Sequence, residues 1–135
     1  MGRRLMLVAA VLMVVSTAGV TTTASAHGQC QISGRGPWDT SGGAFVKAQG
    51  IYDCNGTKHT VSLVYTQLQK RVSGSWVNRG NGVANDDCRN RDRCQATDTE
   101  TCSVGYWRMT VQAKADLQHE DGPVTFAQRY IDCNN

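Results

Sequence analysis

From Tyr106 to Ala115 the chain alternates without a break. Trp107, Met109, Val111, Ala113 and Ala115 take one parity, and Tyr106, Arg108, Thr110, Gln112 and Lys114 take the other. Successive side chains of a strand point to opposite faces, so this stretch predicts a β-strand with one buried and one wet side. Ala44–Cys54 repeats the pattern: Val46, Ala48, Tyr52 and Cys54 share one face, Lys47, Gln49, Ile51 and Asp53 the other. From Thr60 to Arg71 the Val, Thr and Tyr content favours a strand over a helix. There Val61, Leu63 and Tyr65 fall on one face and Val64 and Leu68 on the opposite one. A Ser73-Gly74 turn leads into a short partner strand containing Trp76, which reads as core together with Trp107.

Other stretches predict connections. Gly36–Gly43, G-P-W-D-T-S-G-G, reads as a loop, which places Trp38 on a loop. Asn55-Gly56 is a turn signal and, with Thr57, a glycosylation sequon. Gly80–Thr101 is polar throughout and reads as one long surface loop. The last hairpin is expected to run from Tyr106 to Leu117, through a loop Q-H-E-D-G-P, into a strand ending at Cys133. The result is about six or seven strands and no helix. That count, with turns at regular intervals, predicts an all-β fold: an antiparallel β-sandwich of immunoglobulin-like size.

Composition sharpens this picture in three ways. Residues 1–26 carry Arg3 and Arg4, an apolar run from Leu5 to Val15, and small residues ending Ala24-Ser25-Ala26. This is the pattern of a secretory signal peptide. The mature chain is then a single domain, residues 27–135, secreted and extracellular, with no stretch long enough for a membrane span. All six cysteines lie in that part, and six cysteines in a small secreted chain imply disulfides, with 15 connectivities open. A hairpin folded about Gly42 sets Cys30 opposite Cys54. Cys88 and Cys94 enclose five residues and would staple the long loop. Cys102 and Cys133 lie at the open end of the last hairpin. Finally, the net charge of +3 falls by two when Arg3 and Arg4 leave with the leader. A nucleic-acid module would show a basic stripe well above that.

The cysteine-bearing strands carry a resemblance. Gly50-Ile51-Tyr52-Asp53-Cys54, Cys102-Ser103-Val104-Gly105-Tyr106-Trp107-Arg108 and Ile131-Asp132-Cys133 resemble the strands of small secreted bacterial β-sandwich proteins of unknown function. The resemblance spans most of the mature chain and implies a scaffold and a compartment without a chemistry.

Candidate chemistry is sparse. Cleavage after Ala26 would start the mature chain at His27-Gly28, a junction similar to that of secreted lytic polysaccharide monooxygenases. Such a terminus offers an amine and an imidazole to copper, with His59 or His119 as the second imidazole. No nucleophile-elbow or zinc-helix motif is present. The acidic pairs Asp86/Asp87 and Glu120/Asp121 read as solvated charge. The function expected is a non-catalytic extracellular binding module, monomeric, with a protein or carbohydrate partner and no cofactor. Its binding surface is sought at Trp38, Arg89, Arg91 and Arg93, and Tyr106 lies on the wet face of its strand. Two alternatives are a copper protein or enzyme using His27, and a secreted inhibitor or toxin presenting the Cys88–Cys94 loop.

Overall fold

The computed structural model describes residues 24–25, 30–54, 61–86, 88, 91–116 and 119–134, with Ala24, Ser25 and His119 described by backbone alone. The described residues form ten strands and no helix. These are β1 (Ala24–Ser25), β2 (Gln31–Asp39), β3 (Phe45–Asp53), β4 (Val61–Val72), β5 (Ser75–Asn78), β6 (Val83–Asn85), β7 (Arg93–Thr101), β8 (Gly105–Ala115), β9 (His119–Thr125) and β10 (Arg129–Ile131). Every pairing is antiparallel.

One sheet has the order β1-β2-β3-β7. In the other, β8 and β4 form the centre. β9 and β10 share the free side of β8, and β5 and β6 share the free side of β4. The two sheets bury a common core. From the first come Ile32, Val46, Ala48, Tyr52 and Ala96; from the second come Val61, Val64, Leu68, Trp107, Met109 and Val111. The alternation in β8 and β3 sets the buried faces as expected: Trp107, Met109, Val111, Ala113 and Ala115 are buried, as are Val46, Ala48 and Tyr52. Trp107 keeps its indole N–H satisfied by donating to the Ser103 carbonyl at 2.9 Å.

Two glycines let the sheets meet closely. Gly34 and Gly50 are register partners on β2 and β3. A methyl group on Gly50 would lie 2.4 Å from Thr66 Oγ1 and 2.7 Å from Val111; on Gly34 it would meet Met109 and Phe126. Thr66 crosses this notch as a polar peg. Its hydroxyl accepts the Gly50 N–H at 3.1 Å and donates to the Ala96 carbonyl at 3.0 Å.

Several expectations are corrected. Gly36-Pro37-Trp38 belongs to β2, which continues past a bulge between Arg35 and Trp38. A bulge between Val61 and Leu63 reverses the parity of β4, so Val61 joins Val64, Thr66 and Leu68 in the core while Leu63 and Tyr65 face outward. Gly80–Thr101 is not a loop: it holds β6 and β7. In β7 the inward positions Cys94, Ala96 and Asp98 are small or charged, which hides the strand from a hydrophobic reading. The return strand of the last hairpin starts at His119, so His119 is the register partner of Ala115 rather than a loop residue. Trp76 is half-buried on the outer side of the second sheet, under the Arg108 guanidinium, and not in the core.

The disulfides are Cys30–Cys54, Cys88–Cys94 and Cys102–Cys133. The first follows from hairpin register, since Gln31 pairs with Asp53 immediately before it. The first two lie together at one end of the molecule, where Tyr52 pairs with Cys94. The third lies at the other end, where the Cys102 N–H donates to the Ala44 carbonyl.

Candidate functional site

The long polar stretch shapes one side of the molecule. β6 belongs to the second sheet and β7 to the first, so the chain between them crosses from one sheet to the other. The Cys88–Cys94 disulfide closes that crossover. Its backbone is held further by three hydrogen bonds. The Arg91 N–H donates to the Cys88 carbonyl at 3.1 Å, the Arg91 carbonyl accepts from Val61 N–H at 3.0 Å, and the Asp92 carbonyl accepts from Cys54 N–H at 2.7 Å. The crossover is thus tied to β4 and to the Cys30–Cys54 disulfide.

Beside it lies an open cleft of about 520 Å³ lined by Asn85, Arg91, Arg93, Cys94, Gln95 and Thr97. Arg93, Gln95 and Thr97 come from alternate positions on the outward face of β7, and Asn85 ends β6. The Asn85 amide donates to the Gln95 carbonyl at 2.8 Å and so joins the two edge strands across the cleft floor. Thr97 accepts a hydrogen bond from the Gln49 amide at 3.3 Å. Arg93 sits 3.8 Å from the Asp53 carboxylate, with both groups open to water, a geometry that contributes little to stability. Arg91 and Arg93 are both exposed. The cleft therefore offers two cationic forks and three neutral hydrogen-bonding side chains on a stiff floor, a surface suited to carboxylate or other anionic groups.

Comparison with protein-family models, with curated proteins and with solved structures finds no match. The functional reading rests on the geometry.

The sequence-derived candidates divide. Arg91 and Arg93 converge on the cleft; Arg89 lies outside the described residues. Trp38 is separate: it pairs with Lys47, which in turn pairs with Thr99, further along the same sheet, and it sits under the Arg35 guanidinium at 5.6 Å. Asn85, Gln95 and Thr97 join the site without having been expected. Only the alternation of Gln95 and Thr97 with Cys94 and Ala96 could have signalled a strand edge there. Of the three histidines, His27 and His59 lie outside the described residues and His119 opens β9. Among the described residues no three His, Cys, Asp or Glu side chains cluster as metal ligands.

Two acids from stretches that read as polar loops are structural. Asp98 is buried, and its carboxylate accepts the Leu68 N–H at 2.7 Å across the two sheets. Leu68 lies where the free side of β4 passes from β6 to β5, so the carboxylate satisfies a donor that neither strand reaches. Burial pushes the Asp98 carboxyl above the usual range, against the lowering effect of its backbone hydrogen bonds. Asp121, half-buried, accepts the Tyr52 hydroxyl. Burial and that carboxylate together push the Tyr52 hydroxyl far above an ordinary phenol.

Proposed function

We propose that the chain is a secreted, non-catalytic extracellular binding module on an immunoglobulin-like β-sandwich, and that the cleft beside Cys88–Cys94 receives an acidic segment of a partner protein. The carrying observation is the fixation of the cleft: a disulfide and three backbone hydrogen bonds hold Arg91 and Arg93 beside Asn85, Gln95 and Thr97. A floor ordered before binding lowers the entropy lost on association. The three disulfides suit an oxidising compartment, and no helix of the described residues is long and apolar enough to cross a membrane.

The inhibitor alternative is less well supported at Arg91. An inhibitor loop presents the carbonyl of its anchoring residue outward to the protease, whereas the Arg91 carbonyl already accepts the Val61 N–H.

The test is biolayer interferometry of the immobilised mature chain against an oligoglutamate peptide and a lysine-rich control, at low and at physiological salt. Selective retention of the acidic peptide, weakened by salt and reduced at least tenfold in R91A/R93A, is expected. Equal retention by the wild type and R91A/R93A would overturn the assignment.

A further inference from the structure

The outward face of the second sheet carries a second, separate arrangement. Tyr106 and Tyr130 are register partners on β8 and β10, and their rings meet edge to face at 5.2 Å. They are 43% and 54% exposed, large values for aromatic side chains paired on a sheet. On the far side of the same face, Trp76 of β5 pairs with Arg71 of β4. Between these aromatic groups runs a row of planar polar side chains. Arg108 stacks over Trp76 at 4.4 Å and donates from Nε to Gln69 Oε1 at 2.7 Å; the Gln69 amide donates to Asn78 at 2.8 Å. Arg108, Gln69 and Asn78 are themselves register partners across three strands.

Alternation settles that these groups share one face. Tyr106 and Arg108 are two apart on β8, Gln69 and Arg71 on β4, and Trp76 and Asn78 on β5, while Trp107 between the β8 pair and the flanking Met109 and Leu68 are buried. The strip from β10 to β5 spans three strand spacings, about 14 Å. It contains two arginines and no carboxylate. Asp132, two residues past Tyr130, is exposed and accepts the Asn134 N–H at 3.2 Å; Glu120, on the face toward the other end of β8, is paired with Lys114 at 2.8 Å.

We propose that this strip binds an acidic, uronate-bearing polysaccharide. The chemistry selects that ligand. The C–H faces of pyranose rings are apolar and stack on exposed aromatic rings, while their equatorial hydroxyls pair with planar amides such as those of Gln69 and Asn78. A carboxylate on each ring matches the guanidinium forks of Arg71 and Arg108. An acidic peptide satisfies the arginines but presents no flat ring to the tyrosines. The strip extends over a length rather than closing into a pocket, which suits a linear chain crossing the strands.

The full mature protein is titrated calorimetrically with polygalacturonate, with the same polymer fully methyl-esterified, and with polyglutamate of matched length. Polygalacturonate is expected to bind, the ester at least tenfold more weakly, and polyglutamate no better than the ester when R91A/R93A is used to silence the cleft. Tyr106→Ala and Tyr130→Ala change exposed side chains and are expected to lower polygalacturonate affinity at least fivefold without shifting the melting temperature. Arg71→Ala is expected to lower it and flatten its salt dependence. No binding of polygalacturonate overturns the proposal. So does binding that Tyr106→Ala and Tyr130→Ala leave unchanged, since attraction would then be charge alone. Affinity lost in R91A/R93A but kept in the tyrosine variants moves the polymer to the cleft and likewise overturns it.

Discussion

Gly50→Ala puts the contact between the sheets to a sharp test. The added methyl would lie 2.4 Å from Thr66 Oγ1 and 2.7 and 2.8 Å from the two methyl carbons of Val111, all well inside contact distance. Neither neighbour yields easily. Both are β-branched and stiff about χ1, and Thr66 is held by hydrogen bonds to Gly50 N–H and the Ala96 carbonyl. Overpacking a tight core costs about 1–3 kcal/mol, and disturbing the Thr66 bonds adds about 1 kcal/mol more. The expected loss is therefore about 2–4 kcal/mol, a fall of roughly 1–2 M in urea midpoint if the m-value is about 2 kcal/mol per M. Equilibrium urea unfolding with disulfides intact measures it. Val111→Ala removes two of the clashing atoms, so Gly50→Ala/Val111→Ala should be more stable than the sum of the single changes implies, by at least about 0.5 kcal/mol. A Gly50→Ala loss under about 0.5 kcal/mol, or strict additivity in the double variant, would refute the argument that the glycine notch sets the sheet spacing.

Three further outcomes are expected. Replacing disulfides singly with serine pairs should cost most for Cys102–Cys133, slightly less for Cys30–Cys54, and least for Cys88–Cys94, about 3.7, 3.5 and 2.4 kcal/mol from the loop each closes. A largest loss at Cys88–Cys94 in thermal unfolding would contradict that order. Because the folded-state pKa of Asp98 is raised, its stabilising contribution is full below the unfolded carboxylate pKa and is lost as pH rises through the folded value. Wild type minus Asp98→Asn stability, read from urea curves, should accordingly fall from acid toward neutral pH; a difference that grows with pH would contradict the assignment. Tyr52→Phe should leave the 295 nm absorbance change up to roughly pH 11 unaltered, because the raised pKa keeps Tyr52 protonated there; loss of part of that change would show Tyr52 ionising like an exposed phenol.

What the sequence made legible depended on whether packing followed simple alternation. β8 and β3 could be read because each runs without a bulge through the core, and the Cys30–Cys54 pairing because the register of β2 and β3 is regular where it matters. β4 was misread in its first turn because one bulge reverses the face of Val61, and hydrophobicity alone cannot distinguish the two parities. β7 was invisible because an edge strand can fill its inward positions with Ala96 and Asp98, a small residue and a hydrogen-bonded acid. Of the cleft, Arg91 and Arg93 could be named from charge and the short cysteine spacing. Asn85 could not, because it reaches the site only through the pairing of β6 with β4. Trp38 and Trp76 were misplaced for a shared reason: each is covered by an arginine on an outward face, an environment that reads as neither core nor loop.

The most direct test of the binding-module account is a heteronuclear NMR titration of the disulfide-bonded chain with the oligoglutamate peptide. The account predicts backbone amide shifts concentrated at Asn85 and Arg91–Thr97, with the amides of the opposite sheet face unmoved and the pattern absent in R91A/R93A. Shifts scattered over the surface, or confined to strands away from the Cys88–Cys94 crossover, would contradict it.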